Sequence, residues 1–187
     1  MQIVTLASGT GTNFGAICEH IKCKRIDAKM LALIVDKPEA KAIEVAKKYG
    51  VKYYIVDFKT YASKQEYELA ILAILNELNP DLICLAGYMK IVTKVILDQY
   101  MGKVINIHPS LLPKYPGLDA LNQAIIAKES KAGVTVHYVD LGMDTGEVIL
   151  QAEFVIAGLS QIECEMNLKQ VEHQIYKDAI NKLIKEK

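Results

Sequence analysis

The sequence predicts an α/β fold with a doubly wound, mostly parallel sheet and helices on both faces. Three observations carry this. Short β-rich runs alternate regularly with helically spaced segments from residue 2 to residue 107. The run Met30 to Val35 is continuously apolar, as expected of a strand buried on both faces. The first β-rich run passes through a Gly-rich turn into a helical pattern, the form of a phosphate-binding first βα loop. Together these make the fold Rossmann-like. At 187 residues and 51% hydrophobic content, the chain is long enough for one domain with a full core.

The elements follow in order. Gln2 to Ala7 reads as the first strand, around Ile3-Val4-Thr5-Leu6. Ser8-Gly9-Thr10-Gly11-Thr12-Asn13 is the turn, and Phe14 to Lys22 has helical spacing. Thr12 and Asn13 can cap that helix and offer donors, while the glycines let backbone approach an anion. The spacing is Gly-x-Gly without the third Gly of the dinucleotide fingerprint, and an ordinary tight turn shares it. After Met30 to Val35 comes the turn Asp36-Lys37-Pro38. Glu39 to Tyr49 is then a helix capped by Gly50, and Val51 to Val56 a strand. Ser63 to Leu78 is a long amphipathic helix stopped by Asn79-Pro80. Asp81 to Ala86 is a strand running into Gly87-Tyr88-Met89-Lys90-Ile91-Val92. Thr93 to Tyr100 is a short helix, and Lys103 to Ile107 a strand. Leu118 to Lys128 is helical. Gly133 to Val139 alternates and predicts a strand with one polar face, on which His137 reads as structural. Val148 to Ala152 and Phe154 to Ala157 read as two late strand pieces, and Ser160 to Lys187 as one long helix with a solvated Lys185-Glu186-Lys187 end.

Composition narrows the function. Lys plus Arg and Asp plus Glu balance at 22 each, so no basic excess exists to hold nucleic acid. No apolar run approaches the roughly 18 residues of a membrane span. The chain opens directly on a strand pattern, so no signal segment is expected. Cys18, Cys23, Cys84 and Cys164 lack metal-ligand spacing and read as reduced thiols of a cytoplasmic protein. The four histidines are far apart in sequence, so no metal site is expected.

The most informative stretch is Asn106 to Gly117. A strand delivers Asn106 and His108 on alternate residues, hence to one side. Pro109, Pro113 and Pro116 stiffen the loop that follows. A carboxamide beside an imidazole suits work on a carbonyl, since the amide can donate to its oxygen while the imidazole moves protons. Asp144, in Leu141-Gly142-Met143-Asp144-Thr145-Gly146, would stabilise the imidazolium if it lies near His108; otherwise it is a turn residue. Glu172 is either a surface helix residue or the partner of an amine. Lys64 and Lys90 are either solvated or partners of an anionic tail. Ser110 lacks a nucleophile elbow. In open α/β sheets, ligands bind outside the carboxyl ends of the strands, where the loops from Ser8, Gly87 and Asn106 are expected.

These motifs resemble the folate-dependent formyltransferase family. Asn106-Ile107-His108-Pro109-Ser110-Leu111-Leu112-Pro113 looks like the signature of the wider superfamily. Lys114-Tyr115-Pro116-Gly117, Ser8 to Asn13, Met143-Asp144-Thr145-Gly146 and the short chain resemble its glycinamide ribonucleotide branch. The resemblance runs over nearly the whole chain, including Ala86 to Ile91 and Val171 to Tyr176. The methionyl-tRNA branch carries an additional C-terminal domain for which this chain has no room.

The resemblance implies one formyltransferase domain over residues 1–187. Phosphate-binding βα units would fill 1–100, and catalytic and folate-binding loops 101–187. It implies transfer of the formyl group of 10-formyltetrahydrofolate to the glycinamide amine of 5-phosphoribosylglycinamide, in purine synthesis, by a metal-free monomer or homodimer. Asn106, His108 and Asp144 would be catalytic. Gly11, Thr12 and Asn13 would hold the ribose phosphate, and Glu172 would lie near the amine. Met89, Lys90, Ile91 and Val92, with Asn106 and the loop Asp140, Leu141, Gly142, Met143 and Asp144, would surround the reduced folate. Lys64 and Lys90 would face its glutamate tail, where the family commonly has Arg, whose fork pairs carboxylates better. Further departures are Asp119-Ala120-Leu121 where the family often has a His, and Glu147 and Lys177 where it has Pro. A formyltransferase acting on another amine, and a non-catalytic folate- or nucleotide-binding module, are the alternatives.

Overall fold

A computed structural model describes residues 1–186. Among these residues seven strands are hydrogen-bonded in the order β3-β2-β1-β4-β5-β6-β7. The chain divides into two compact units, Met1–Ile105 and Asn106–Lys187.

The first unit contains β1 (Gln2–Ala7), α1 (Thr12–Lys22), β2 (Lys29–Val35), α2 (Ala42–Tyr49), β3 (Lys52–Ile55), α3 (Lys64–Leu78), β4 (Leu82–Leu85) and α4 (Lys94–Tyr100). β1 pairs in parallel with β2 on one side and β4 on the other, and β2 with β3. The order therefore reverses between β1 and β4, the switch point at which open α/β sheets bind ligands. Ile3, Val4, Leu33, Ile34 and Ile83 are buried, as their apolar runs require. Ser63 caps α3, its Oγ accepting from Glu66 N at 3.2 Å.

In the first unit two helix starts differ from the sequence reading by more than one residue. α1 starts at Thr12, its N-cap is Gly11 in the left-handed region (φ 74°), and no side chain caps it. Thr12 and Asn13 are the first helical residues instead of its caps. α2 starts at Ala42 in place of Glu39, because Ala42 N donates to Gly9 O at 3.0 Å and anchors the helix start on the β1 loop. A Cβ on Gly11 would stand 2.7 Å from Ala42 Cα. Gly11 is thus required twice, by its φ and by the approach of α2.

The second unit contains the end of β5 (Val104–His108), then α5 (Ala120–Ile126), β6 (Lys131–Tyr138), β7 (Val148–Val155) and α6 (Gln161–Lys185). β6 pairs antiparallel with β7, and α6 packs on both. β6 lacks the polar face read from its alternation: residues Ala132 to His137 are all buried. Its polar side chains are instead bonded within the protein. Thr135 Oγ1 donates to Ser110 O at 2.7 Å and accepts from Leu112 N at 3.1 Å and Gln151 Nε2 at 2.8 Å. Ser110 Oγ donates to Lys114 O at 2.6 Å. The loop after β5 is stiff because Thr135 and Gln151 hold its backbone, in addition to its prolines.

The late strand pieces are one strand, since the ladder runs unbroken from Lys131↔Val155 to Val136↔Leu150. A Lys131–Glu153 ion pair at 2.5 Å spans that ladder. α5 is shorter than Leu118 to Lys128 because Asp119 and Lys128 both take positive φ (60° and 56°). Ser160 and Glu163 form a capping box on α6. Of the expected Lys185-Glu186-Lys187 end, Lys187 lies outside the described residues. The four cysteines form no disulfide.

Leu75 is fully buried on α3, whereas Leu69, on the same helix, is 48% exposed. Leu75→Ala should cost about 2–5 kcal/mol of unfolding free energy in urea titrations, the range for core truncations. Leu69→Ala should stay within about 0.5 kcal/mol.

Candidate active site

The loops of the first unit meet at the switch point. Ser8 N donates to Gly87 O at 3.1 Å, and Met89 N donates to Ser8 Oγ at 2.9 Å, tying the turn after β1 to the segment after β4. Glu68 of α3, only 2% exposed, fastens the far end of that segment: both its oxygens accept from Thr93, one from the backbone N–H at 2.8 Å and one from the hydroxyl. Tyr88 is held by a 2.7 Å hydroxyl–hydroxyl bond to Tyr67. Between these anchors Met89 and Ile91 are 63% and 53% exposed, offering apolar surface to a ligand. Val92, expected among the contacting residues, is 3% exposed, so its side chain belongs to the core and only its backbone is available. Lys90 Nζ lies 4.4 Å from the centre of the Phe58 ring, a cation–π contact that fixes its direction. Lys64 is the first residue of α3.

The α1 N-terminus has no capping side chain and no acidic residue in its first turn. Its N–H groups and the exposed Thr12 hydroxyl therefore suit an anion.

The second unit brings Asn106, His108 and Asp144 together. Asn106 and His108 stand on alternate positions of β5. His108 is 4% exposed; its Nδ1 is 3.4 Å from Asp144 Oδ2, and its Nε2 is 2.8 Å from Tyr115 O. Both ring nitrogens face acceptors, and only the imidazolium can donate to both. Asp144 sits at φ 57° and Tyr115 at φ 54°. Asp144 Oδ2 also accepts from Gly117 N at 2.8 Å, so the Pro-rich loop and the Asp144 loop lock one another.

His137, read from sequence as structural, joins this group. It is 2% exposed, and its Nε2 is 3.3 Å from Asn106 Nδ2 and 3.6 Å from Asp144 Oδ1. Alternation in β6 could not reveal this, because both faces of the strand are buried and the partners of His137 come from distant parts of the sequence.

Burial works to raise the Asp144 carboxyl. The Gly117 N–H and the His108 imidazolium outweigh it and hold the group below its ordinary value.

Around this cluster, Leu141 and Met143 are 65% and 55% exposed. Asp140 Oδ1 is occupied by Gly142 N (3.0 Å) and Thr145 Oγ1 (2.8 Å), so that carboxylate shapes the loop. Glu172 is half-buried on α6. Ser110 is buried and bonded to backbone, in no position to act as a nucleophile. A cavity of about 370 Å³ behind the Pro-rich loop, lined by residues such as Ser110, Tyr115 and Glu129, includes none of the cluster. Among the described residues no group of three His, Cys, Asp or Glu can hold a metal ion. No helix among them is long and apolar enough to cross a membrane.

A group with a depressed folded-state pKa contributes stability above its unfolded value, and that contribution is lost as pH falls through the folded value. Wild type should therefore exceed Asp144→Asn in urea stability by most near neutral pH. The gap should close below about pH 4, the ordinary Asp range. A gap independent of pH would show that the Asp144 charge is not paired.

The chain has relatives among known proteins. The phosphoribosylglycinamide formyltransferase of Bacillus subtilis (strain 168) is 42% identical over 184 residues, covering 98% of this chain and 94% of its own length. That of Escherichia coli (strain K12) is 36% identical over 177 residues, covering 94% of this chain and 84% of its own. The crystal structure of the Bacillus halodurans phosphoribosylglycinamide formyltransferase matches with TM-score 0.94 at 41% identity, covering 98% of this chain and 95% of that one. The crystal structure of glycinamide ribonucleotide transformylase 1 from Geobacillus kaustophilus matches with TM-score 0.93 at 44% identity, covering 97% of each chain. With residues 1–180 matching the formyl transferase family, the chain belongs to that family.

Proposed function

We propose that this protein is a phosphoribosylglycinamide formyltransferase of the cytoplasm. On this reading it moves the formyl group of 10-formyltetrahydrofolate to the amine of glycinamide ribonucleotide in purine synthesis. The observation that carries the reading is the Asn106–His137–Asp144–His108 cluster, whose two histidines are buried. It supplies an amide donor beside an imidazole with a carboxylate partner, the set that formyl transfer to an amine requires. The names of the relatives support the choice of amine.

The amine nitrogen forms a bond to the formyl carbon, and the bond from that carbon to N10 of the folate breaks. The formyl oxygen gains negative charge in between. Asn106 Nδ2 donates to it, and the His108 imidazolium, held by Asp144, adds a positive field. A direct N–H from His108 to that oxygen displaces one of its two protein contacts, and the 3.4 Å contact to Asp144 is the longer. The amine proton passes to N10 through His108 or a water held by Asp144. Thr12, Asn13 and the first N–H groups of α1 hold the ribose phosphate, and Glu172 attracts the amine. In the first unit Met89 and Ile91 offer apolar surface to the folate and Lys64 and Lys90 serve its carboxylate tail; in the second unit Leu141 and Met143 offer apolar surface to the pterin.

Incubation with 10-formyltetrahydrofolate should release tetrahydrofolate only when glycinamide ribonucleotide is also present. Release with a nucleotide-sugar amine but not with glycinamide ribonucleotide would make it a formyltransferase of another substrate. Binding of both ligands without release would make it a binding module.

Gly11 is unsuitable for testing the phosphate site, since any side chain there collides with Ala42. Thr12→Val keeps the shape and removes only the hydroxyl. It should raise KM for the ribonucleotide by about tenfold, the value of one hydrogen bond to a charged group, and leave KM for the folate unchanged. Equal rises in both would remove Thr12 from the phosphate site.

A further inference from the structure

We propose that His137 is a positioning residue that holds the Asn106 amide in its donating orientation, as the neutral tautomer carrying its proton on Nδ1. This inference rests on the proposed role of Asn106 in formyl transfer.

The bonding around the ring decides the tautomer. His137 Nδ1 lies 2.8 Å from the backbone carbonyl oxygen of Tyr138, which can only accept, so Nδ1 carries a proton. Nε2 then has two possible partners, the Asn106 amide at 3.3 Å and the Asp144 carboxylate at 3.6 Å. The demands are opposite. Asn106 Nδ2 needs a lone pair on Nε2, whereas Asp144 Oδ1 needs a proton there. Only the amide is within hydrogen-bond distance. Asp144 already takes the Gly117 N–H at 2.8 Å and stands 3.4 Å from His108. The neutral ring satisfies the closer partner, and the charge of Asp144 is left to His108.

The consequence for Asn106 is directional. An unprotonated Nε2 repels the amide oxygen, so the amide cannot flip. One Nδ2 hydrogen points to His137 and the other remains for the formyl oxygen. An asparagine without this acceptor presents its oxygen and its nitrogen to the substrate interchangeably, and the wrong face repels a developing negative charge. The 2% exposure of His137 keeps water from substituting for it.

The test uses the intact protein in three ways. First, ¹⁵N NMR of imidazole-labelled wild type without ligands should show His137 with a protonated Nδ1 and a pyridine-like Nε2 at the pH of the assay. An imidazolium, or a proton on Nε2, would overturn the proposal whether or not the protein transfers formyl groups. Second, His137→Phe keeps the ring and removes the acceptor. It should lower kcat by about 10²-fold, the cost of a misplaced catalytic group, with little change in either KM. His137→Gln, whose Oε1 can take the place of Nε2, should recover kcat to within about tenfold of wild type. A Gln variant no better than the Phe variant would overturn the assignment. Third, in an Asn106→Ala background, His137→Phe should cause no further loss, because the two residues act as one unit. The same loss in both backgrounds would make His137 merely structural. If wild type shows no formyl transfer at all, the functional reading fails while the NMR result still judges the tautomer.

Discussion

The carboxylate of Asp144 is the interaction on which the second unit depends. A carboxylate withdrawn largely from water, as that of Asp144 is, is unfavourable unless it is paired and hydrogen-bonded. Here the Gly117 N–H and His108 share one oxygen, and His137 faces the other. Those contacts require Asp144 to adopt positive φ and require the Pro-rich loop to bring Gly117 back toward it. That return is held by Thr135 and Gln151, which bond to the backbone of Ser110 and Leu112. The stiffness of the loop and the placement of the charge are therefore one problem with one solution. The solution uses polar side chains of β6 and β7 that a simple inside–outside pattern would send to solvent.

A similar economy appears in the first unit. The segment after β4 must expose Met89 and Ile91, yet exposed apolar residues in a loop invite disorder. Ser8 at its start and Glu68 at its end each bond to its backbone, and the Tyr67–Tyr88 hydroxyl pair closes the gap between them. Tyr67 and Glu68 follow Lys64 on α3, so one helix holds the segment and carries a candidate tail-binding lysine. Gly11 shows the same overlap of roles. Its freedom from a side chain reads as an allowance for phosphate, but the packing of Ala42 demands it before any ligand arrives.

Much of this was legible in the residue pattern. Continuous apolar runs marked the parallel strands, because strands buried on both faces admit little else. Gly50, Ser63 and the Asn79-Pro80 pair marked helix ends through local backbone chemistry, which needs no tertiary context. Asn106 and His108 were placed on one side of a strand by its period of two. The motifs from Ser8 to Asn13, Asn106 to Gly117 and Met143 to Gly146 were sufficient to indicate the formyl transferase family.

What tertiary structure alone decided was contact between residues distant in sequence and the direction of side chains at irregular backbone. Asp144 stands 36 positions from His108, and no periodicity relates them; the 3.4 Å approach exists because two loops lock through Gly117. The neighbours of His137 could not be read from β6, because Asn106 and Asp144 come from distant parts of the sequence and both faces of the strand are buried. Val92 lay in a loop motif but turned into the core. The start of α2 was set by a bond from Ala42 to Gly9. Sequence by itself determines which residues can form strands, helices and caps, since those preferences act over a few neighbouring residues. Which carboxylate meets which imidazole is decided only when the packed chain has removed water from both.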